Sequence, residues 1–268
     1  MADNIAAVIS YSFLETSGGL YLWFISLAFV AQVYLDFYGY TLIARGLASF
    51  MSVNLSLNFR QPLFARNISS FWQRWHISLT RWVTDYIHIP LVRRFPQEPF
   101  KSLIAIMAMC IVGLWHGASW NFVMFGLVNG LLIRFWPPVA SILSVVPCNA
   151  FVREVFTRVA MLICISFCGI IFFIRDFSLL LSQMGTMFST NTGLQALLAA
   201  PAKTEFLIGL IGLTIFLFND WLVYRNVRVN VEASASIPFL REAIIAFCAI
   251  AILLFGNFNV EGFIYFDF

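Results

Sequence analysis

The sequence predicts an all-α integral membrane protein. Of its 268 residues, 61% are hydrophobic and only 11% are charged, against ~45–50% and ~25% in ordinary soluble domains. Mean hydropathy is +0.87. Apolar residues also come in long unbroken runs, and a helix needs ~20 of them to cross a bilayer. So few charges cannot cover the surface of a soluble fold. Composition therefore excludes a disordered chain, a nucleic-acid-binding module and a conventional soluble enzyme. The length leaves room for five or six spans in a single membrane domain over residues 1–268, which is few for a membrane enzyme that must enclose a cavity. Asp3 and Glu15, with no basic stretch before the first apolar run, do not form a signal peptide. An internal span is expected to do the targeting.

Leu20–Tyr38 is the first span. Its carboxyl half carries Gln32 and Asp36. A carboxylate at that depth is costly in lipid and should face protein or water; the competing reading is an interfacial residue at the helix end. Residues 45–101 do not span. They contain eight basic residues and two acids, Asp85 and Glu98, a net +6 in a chain of +3. Basic excess beside span ends marks the cytoplasmic side, so this segment is expected to be cytoplasmic or interfacial. Within it, Ser70 to Ile89 reads as one amphipathic helix, capped by Ser69 or Ser70 and closed by Pro90. Phe71, Trp72, Trp75, Leu79, Trp82, Val83 and Tyr86 form its apolar stripe, and Arg74, Ser78, Arg81 and Asp85 the opposite one. Tryptophans beside arginines suit a membrane interface.

Ser102–Ile133 carries no formal charge over 32 residues and divides at Gly113-Leu114-Trp115-His116-Gly117-Ala118-Ser119-Trp120-Asn121. Its halves are short for separate spans. A broken or re-entrant pair is expected, with Pro137-Pro138 stopping the second half. Further apolar stretches are Val159–Ile174, Phe206–Tyr224 with Asp220 near one end, and Ala243–Phe258 before an aromatic tail at 262–268. The polar stretch from Asp176 to Lys203 is expected outside the bilayer. Cys164 and Cys168, four apart, read as helix packing; no CxxC or Cys/His cluster suggests a metal.

Three histidines restrict the chemistry. His116 lies mid-way along the longest uncharged stretch, among small residues that let backbone and ligand approach. An ionisable residue at such depth is a functional candidate; the competing reading is a buried histidine bonded to a nearby carbonyl. His76 alone reads as an interfacial histidine among tryptophans, and His88 as peripheral. No nucleophile elbow, phosphate loop, dinucleotide fingerprint or carboxylate pair is present. What survives is one histidine acting as a base on a hydroxyl that attacks an activated acyl carbon.

Four blocks extend this reading: Gln32-Val-Tyr-Leu-Asp-Phe-Tyr-Gly-Tyr40, Ser70-Phe-Trp-Gln-Arg-Trp-His-Ile-Ser running on to Pro90-Leu91, Gly113-Leu-Trp-His-Gly-Ala-Ser-Trp-Asn121, and the terminal Phe263-Ile-Tyr-Phe-Asp-Phe268. Together they resemble the membrane-bound O-acyltransferase family, in its bacterial, alginate O-acetyltransferase-like branch, the first three blocks in family order. The resemblance implies a multi-span helical fold that apparently lacks its amino-terminal spans. It implies O-acyl transfer, with O-acetylation of an exported or cell-surface polysaccharide the expected case. It makes His116 the catalytic base and matches His76 to the family's upstream histidine. Trp72, Arg74 and Trp75 would shape the approach of the donor, and Trp115 and Asn121 would line the reaction chamber. A cytoplasmic acyl thioester such as acetyl-coenzyme A would be the donor, with no bound cofactor or metal. The polysaccharide acceptor would arrive from the opposite face, with an extracytoplasmic partner acyltransferase completing the transfer. Nucleic acid is not an expected partner, and the bacterial inner membrane is the expected location. Departures are Thr41-Leu42 after Gly39-Tyr40, His88 where the family has Tyr, Asn129 where its Gly-Leu-Tyr-His-Gly pattern places another residue, and the absence of Gly-Gly-Asn-Arg after Leu91. The alternative class is a truncated or non-catalytic scaffold or transport subunit of a polysaccharide-modification system.

Overall fold

The computed structural model describes residues 2–13, 18–145, 149–190 and 203–225, together with residues 246 and 250. The expected span at Ala243–Phe258 and the aromatic tail lie outside these, apart from the two isolated positions. Every regular element among the described residues is helical. They are α1 (Ala2–Phe13), α2 (Gly19–Phe50), α3 (Ile68–Trp72), α4 (Ile77–Val83), α5 (Ile89–Arg94), α6 (Phe100–His116), α7 (Trp120–Val145), α8 (Ala150–Phe173), α9 (Phe177–Met187) and α10 (Lys203–Tyr224).

The longest element is α2. At 1.5 Å per residue its 32 residues reach about 48 Å, more than the ~30 Å hydrocarbon layer. The sequence places its end at Tyr38; the helix runs on to Phe50, because nothing in Thr41–Phe50 breaks it. The extension makes residues 45–50 helical, in a helix that at this length outruns the hydrocarbon layer. Its two halves differ: Tyr21 to Phe37 supply the buried residues, whereas Tyr40, Ile43, Leu47 and Phe50 are exposed. By length and composition α2 and α8 can cross a membrane; Phe100–His116, Trp120–Trp136 and Leu210–Tyr224 are shorter apolar helices.

The break expected near His116 is present, at Gly117–Ser119, between α6 and α7. Its arms are longer than expected, 17 and 26 residues. Pro137-Pro138 does not stop α7, whose backbone stays helical to Val145. The arms fold back on one another at backbone contact. A Cβ on Gly113 would strike the Phe122 carbonyl, one on Gly126 the Met109 carbonyl, and one on Gly130 would lie 2.6 Å from the Ile106 Cα. Lipid offers no hydrophobic drive between helices, so close backbone approach at small residues is what holds such a pair. Arg134 Nε donates to Ser102 Oγ (2.6 Å), which in turn donates to Glu98 (2.7 Å), tying the open end.

α8 lies along α2 and α7, and α1 packs on α2 and α10. Gly169 of α8 meets Val30 of α2, where a Cβ would sit 2.8 Å from the valine methyl. Asp220 of α10 is buried and accepts a 2.6 Å hydrogen bond from the Tyr34 hydroxyl of α2. A buried carboxylate needs such a donor. The polar stretch after Asp176 holds α9, whose first turn is capped by Asp176 accepting from Leu179 N–H at 2.6 Å. α9 buries Leu180 and Met187 against α2 and α7.

The expected single helix over 70–89 is not found. Its start is one turn earlier, with Asn67 as the cap and Ser70 closing a reciprocal capping box. It breaks at Gln73–His76, where His76 adopts φ 44°, ψ 53°. It resumes at Ile77 and passes through a wider, π-helical turn, Thr84–His88, into α5. Pro90 does not close a helix. It follows directly on the turn at Thr84–His88, within one run of helical backbone that goes on to Arg94.

Candidate active site

His116 is the last residue of α6, and the hairpin sets its position. Gly117 N–H bonds to Leu114 O at 3.2 Å and Ser119 N–H to Gly117 O at 3.0 Å. A Cβ on Gly117 would sit 2.7 Å from the Phe122 ring, so only glycine lets the chain turn under that ring. The imidazole is boxed by aromatic rings: Phe172 at 4.8 Å, Trp115 at 4.9 Å, Phe122 at 6.2 Å and Phe125 at 6.4 Å between centroids.

His76 is held by a different device. A non-glycine residue in the left-handed region is uncommon, though histidine tolerates it better than most. Residues 58–60, outside any helix, run beside it and hold it. Ile77 N–H donates to Asn58 O (2.9 Å), Ser78 N–H and Oγ both donate to Asn58 Oδ1 (3.1 and 2.9 Å), and Arg60 N–H donates to Arg74 O (2.9 Å). The His76 ring is 8% exposed and packs edge-on against Phe37 at 4.8 Å. Burial lowers its pKa to about 4, so it is the neutral imidazole at physiological pH.

The two histidines meet at one side chain. Trp115 lies 5.6 Å from the His76 ring and 4.9 Å from the His116 ring, edge-on to both. Its other side is open, at 56% exposure.

His116 borders a cavity of about 60 Å³. Phe29, Val30 and Val33 of α2 form one wall, and Cys168, Gly169 and Phe172 of α8 another. Phe71, Trp72, Trp75, Phe125, Asn129 and Ile165 complete it. The Trp72 indole N–H donates to Asn129 Oδ1 at 3.1 Å, and Asn129 Nδ2 donates to Phe125 O at 2.8 Å. A second cavity, of about 260 Å³, lies between α3–α4 and the α6–α7 hairpin. One side is polar, with Ser69, Gln73, Thr80, Thr84 and His88, and the other is apolar, with Ala108, Met109 and Val112. His88 is thus not peripheral; the helix that continues past Pro90 turns it inward.

The sequence candidates divide accordingly. His116, Trp72 and Trp75 share the smaller cavity, and His76 and Trp115 adjoin it through the ring contacts. Arg74 lines neither cavity: it stacks over the Tyr224 ring at 5.6 Å and donates to Arg60 O at 3.3 Å. Asn121 is fully buried and donates to Ile174 O at 2.9 Å, joining the start of α7 to the end of α8. Asn129, Cys168 and Phe172 were not among the candidates. An asparagine in a chargeless helical run was the available signal for the first, since a buried amide must find partners. Nothing local marks the other two. Among the described residues no group of three or more His, Cys, Asp or Glu is placed to hold a metal ion.

Residues 4–174, which contain both histidines and all of the smaller cavity, match the profile of MBOAT, the membrane-bound O-acyltransferase family. The chain belongs to this family. It is 36% identical over 135 residues to a peptidoglycan O-acetyltransferase of Helicobacter pylori, covering 50% of this chain and 26% of that protein. It is 38% identical over 135 residues to an Azotobacter vinelandii protein named "Probable alginate O-acetylase", covering 48% and 26%. A teichoic acid D-alanyltransferase of Streptococcus thermophilus is 31% identical over 125 residues, covering 44% and 29%. The matched region is about a quarter of the length of each of these relatives. As a member of this family the chain is membrane-bound, and every regular element among its described residues is helical.

Proposed function

We propose that this chain carries the catalytic site of an O-acyltransferase, and that the reaction is O-acetylation of an exported or cell-surface polysaccharide. The observation that carries this reading is His116 at the hairpin break, bordering a small cavity and held in a box of rings. The relatives' names support the acceptor class: they name peptidoglycan, alginate and teichoic acid, and two of the three name acetyl transfer.

In this reading His116 is the base. Its neutral imidazole takes the proton of an acceptor hydroxyl as that oxygen attacks the thioester carbonyl. The tetrahedral intermediate collapses with loss of the thiolate, which takes up the proton from the imidazolium, leaving an ester and a free thiol. His76, neutral and across Trp115 from His116, positions the donor end, and Trp72 and Trp75 shape the chamber. The donor is a cytoplasmic acyl thioester such as acetyl-coenzyme A, drawn by the basic stretch from Arg60 to Lys101. The same basic excess orients the chain with that segment on the cytoplasmic side of a bacterial inner membrane crossed several times. The acceptor hydroxyl approaches from the other face; where that hydroxyl is not the polymer's own, an extracytoplasmic partner acyltransferase completes the transfer to the polysaccharide.

The test is His116→Ala in the host membrane, with polymer-bound acetate measured by mass spectrometry. Loss of acetate at unchanged membrane abundance is the expected result. Unchanged acetate removes His116 from the chemistry and leaves the non-catalytic subunit as the reading to pursue.

A further inference from the structure

Two cavities meet at one side chain. The smaller holds His116, and the larger lies beyond α3. Of all the residues lining either, only Trp72 lines both. Its ring is 6% exposed and does not rest there by packing alone. The indole N–H is bonded to Asn129 Oδ1 at 3.1 Å, and Asn129 is itself fully buried and bonded to the Phe125 carbonyl. Swinging the ring aside would break the indole–amide hydrogen bond in an apolar interior, where unpaired polar groups are disfavoured. Trp72 is therefore a wall with a latch.

We infer that Trp72, latched by Asn129, is the partition that sets acyl-chain length, confining the acyl group at His116 to about two carbons. This inference rests on the acyltransferase reading and adds what that reading lacks, a physical reason for acetyl over longer chains. One water needs roughly 10–15 Å³ of the same kind of volume. The His116 cavity, about 60 Å³, therefore takes the three heavy atoms of an acetyl group beside an attacking oxygen and little else. Beyond Trp72 lies the 260 Å³ cavity, with room for a longer chain, and Trp72, which lines both cavities, stands between the two. The apolar face of that cavity, Ala108, Met109 and Val112, would accept methylenes once the wall is gone.

The experiment compares wild type, Trp72→Ala, Trp72→Phe and Asn129→Leu in host membranes. Transfer is measured from acetyl-, butyryl- and hexanoyl-coenzyme A to cell-envelope polymer. Binding of the inert thioethers S-ethyl- and S-hexyl-coenzyme A is measured on solubilised protein by thermal shift. Wild type is expected to use acetyl and discriminate against hexanoyl. Trp72→Ala raises the hexanoyl-to-acetyl ratio at least tenfold and gains stabilisation by the S-hexyl thioether. Asn129→Leu keeps the ring but frees it, and shifts the ratio in the same direction by less. Trp72→Phe keeps a ring without the latch and falls between wild type and alanine; it also serves if the alanine variant does not fold. Acetyl transfer by wild type with an unchanged ratio in the variants overturns the partition and leaves the acyltransferase reading intact. Equal use of hexanoyl by wild type does the same. No transfer from any donor by wild type overturns the acyltransferase reading and this inference with it.

Discussion

The α6–α7 hairpin and the segment from Asn58 to Arg94 each present one histidine to the same place, and they do so by opposite physical means. The hairpin is chargeless between Ser102 and Ile133, and its arms meet backbone to backbone at Gly113, Gly126 and Gly130. His116 is where it is because packing leaves no alternative. The Asn58–Arg94 segment is basic, broken into short helices and threaded by side-chain-to-backbone hydrogen bonds. His76 is where it is because Asn58 holds a left-handed turn open for it. One histidine is fixed by shape and the other by polar pairing. This difference suggests a division of labour: a base that must not move, beside a neighbour able to adjust to the donor.

The largest effect should come from the proposed base. His116→Ala is expected to lower acyl transfer about 10²–10⁴-fold, the usual worth of a general base. The protein should stay folded, because the rings around the imidazole pack on one another: Phe122 and Phe125 lie 5.2 and 5.1 Å from Phe172. Next comes the scaffold. Gly126→Leu puts a side chain into the Met109 carbonyl and should cost about 1–3 kcal/mol or more, as overpacking does. The measurement is thermal unfolding in detergent. Separation of the hairpin should carry His116 away from Phe172 and take activity with it. A Gly126→Leu protein with wild-type stability and activity would show that packing does not fix His116, and the comparison would fail.

How much of this was legible in the sequence follows the same division. The hairpin break was readable because small residues and rings interrupt a long uncharged run, and only a turn satisfies that. Its arms were misjudged because Lys101 and Pro137-Pro138 look like ends, whereas α6 starts a residue before Lys101 and the α7 backbone runs on past the prolines. The break at His76 was invisible to periodicity for a definite reason. Trp75 N–H still bonds to Phe71 O at 2.9 Å, so helical phase is kept right up to the reversal. Phe71 and Trp75 even stack at 5.3 Å, as residues on one helix face would. A single left-handed residue leaves no trace in the spacing of apolar positions. The site itself was half legible. His116 stood out as a charge-capable group in the wrong solvent, while Cys168 and Phe172 reach the cavity only through the packing of α8, which no local pattern encodes.

The polar arm of the comparison is tested at Asn58. Asn58→Leu removes the acceptor used by both the amide and the hydroxyl of Ser78 and strands those donors in a partly buried turn. The expected cost is about 1–3 kcal/mol, comparable to or smaller than the hairpin variant. Its kinetic profile should differ as well. With His116 undisturbed and His76 displaced, the apparent KM for the thioester should rise more than kcat falls, the reverse of His116→Ala. If Asn58→Leu instead lowers kcat as His116→Ala does, the two histidines act as one unit and the proposed division of labour is wrong.

The smallest effect separates polar pairing from mere charge. Arg66 of the basic segment reaches Glu154 of α8 at 3.2 Å, and Glu154 also holds Arg158 one helical turn along its own helix. This ion-pair cluster looks like the tether of the segment to the membrane helices. Its exposure argues otherwise: Arg66 is 63% and Glu154 38% accessible, where water and salt screen the attraction. The buried tether is aromatic, with Phe59 5.1 Å from Trp75 and 5.5 Å from Tyr34. Glu154→Gln should therefore leave the unfolding temperature and acyl transfer close to wild type at physiological salt, with any difference confined to low salt. A large loss from Glu154→Gln would mean that the segment is docked by charge. His76 would then owe its position to the basic surface of the segment rather than to Asn58 and the rings beneath it.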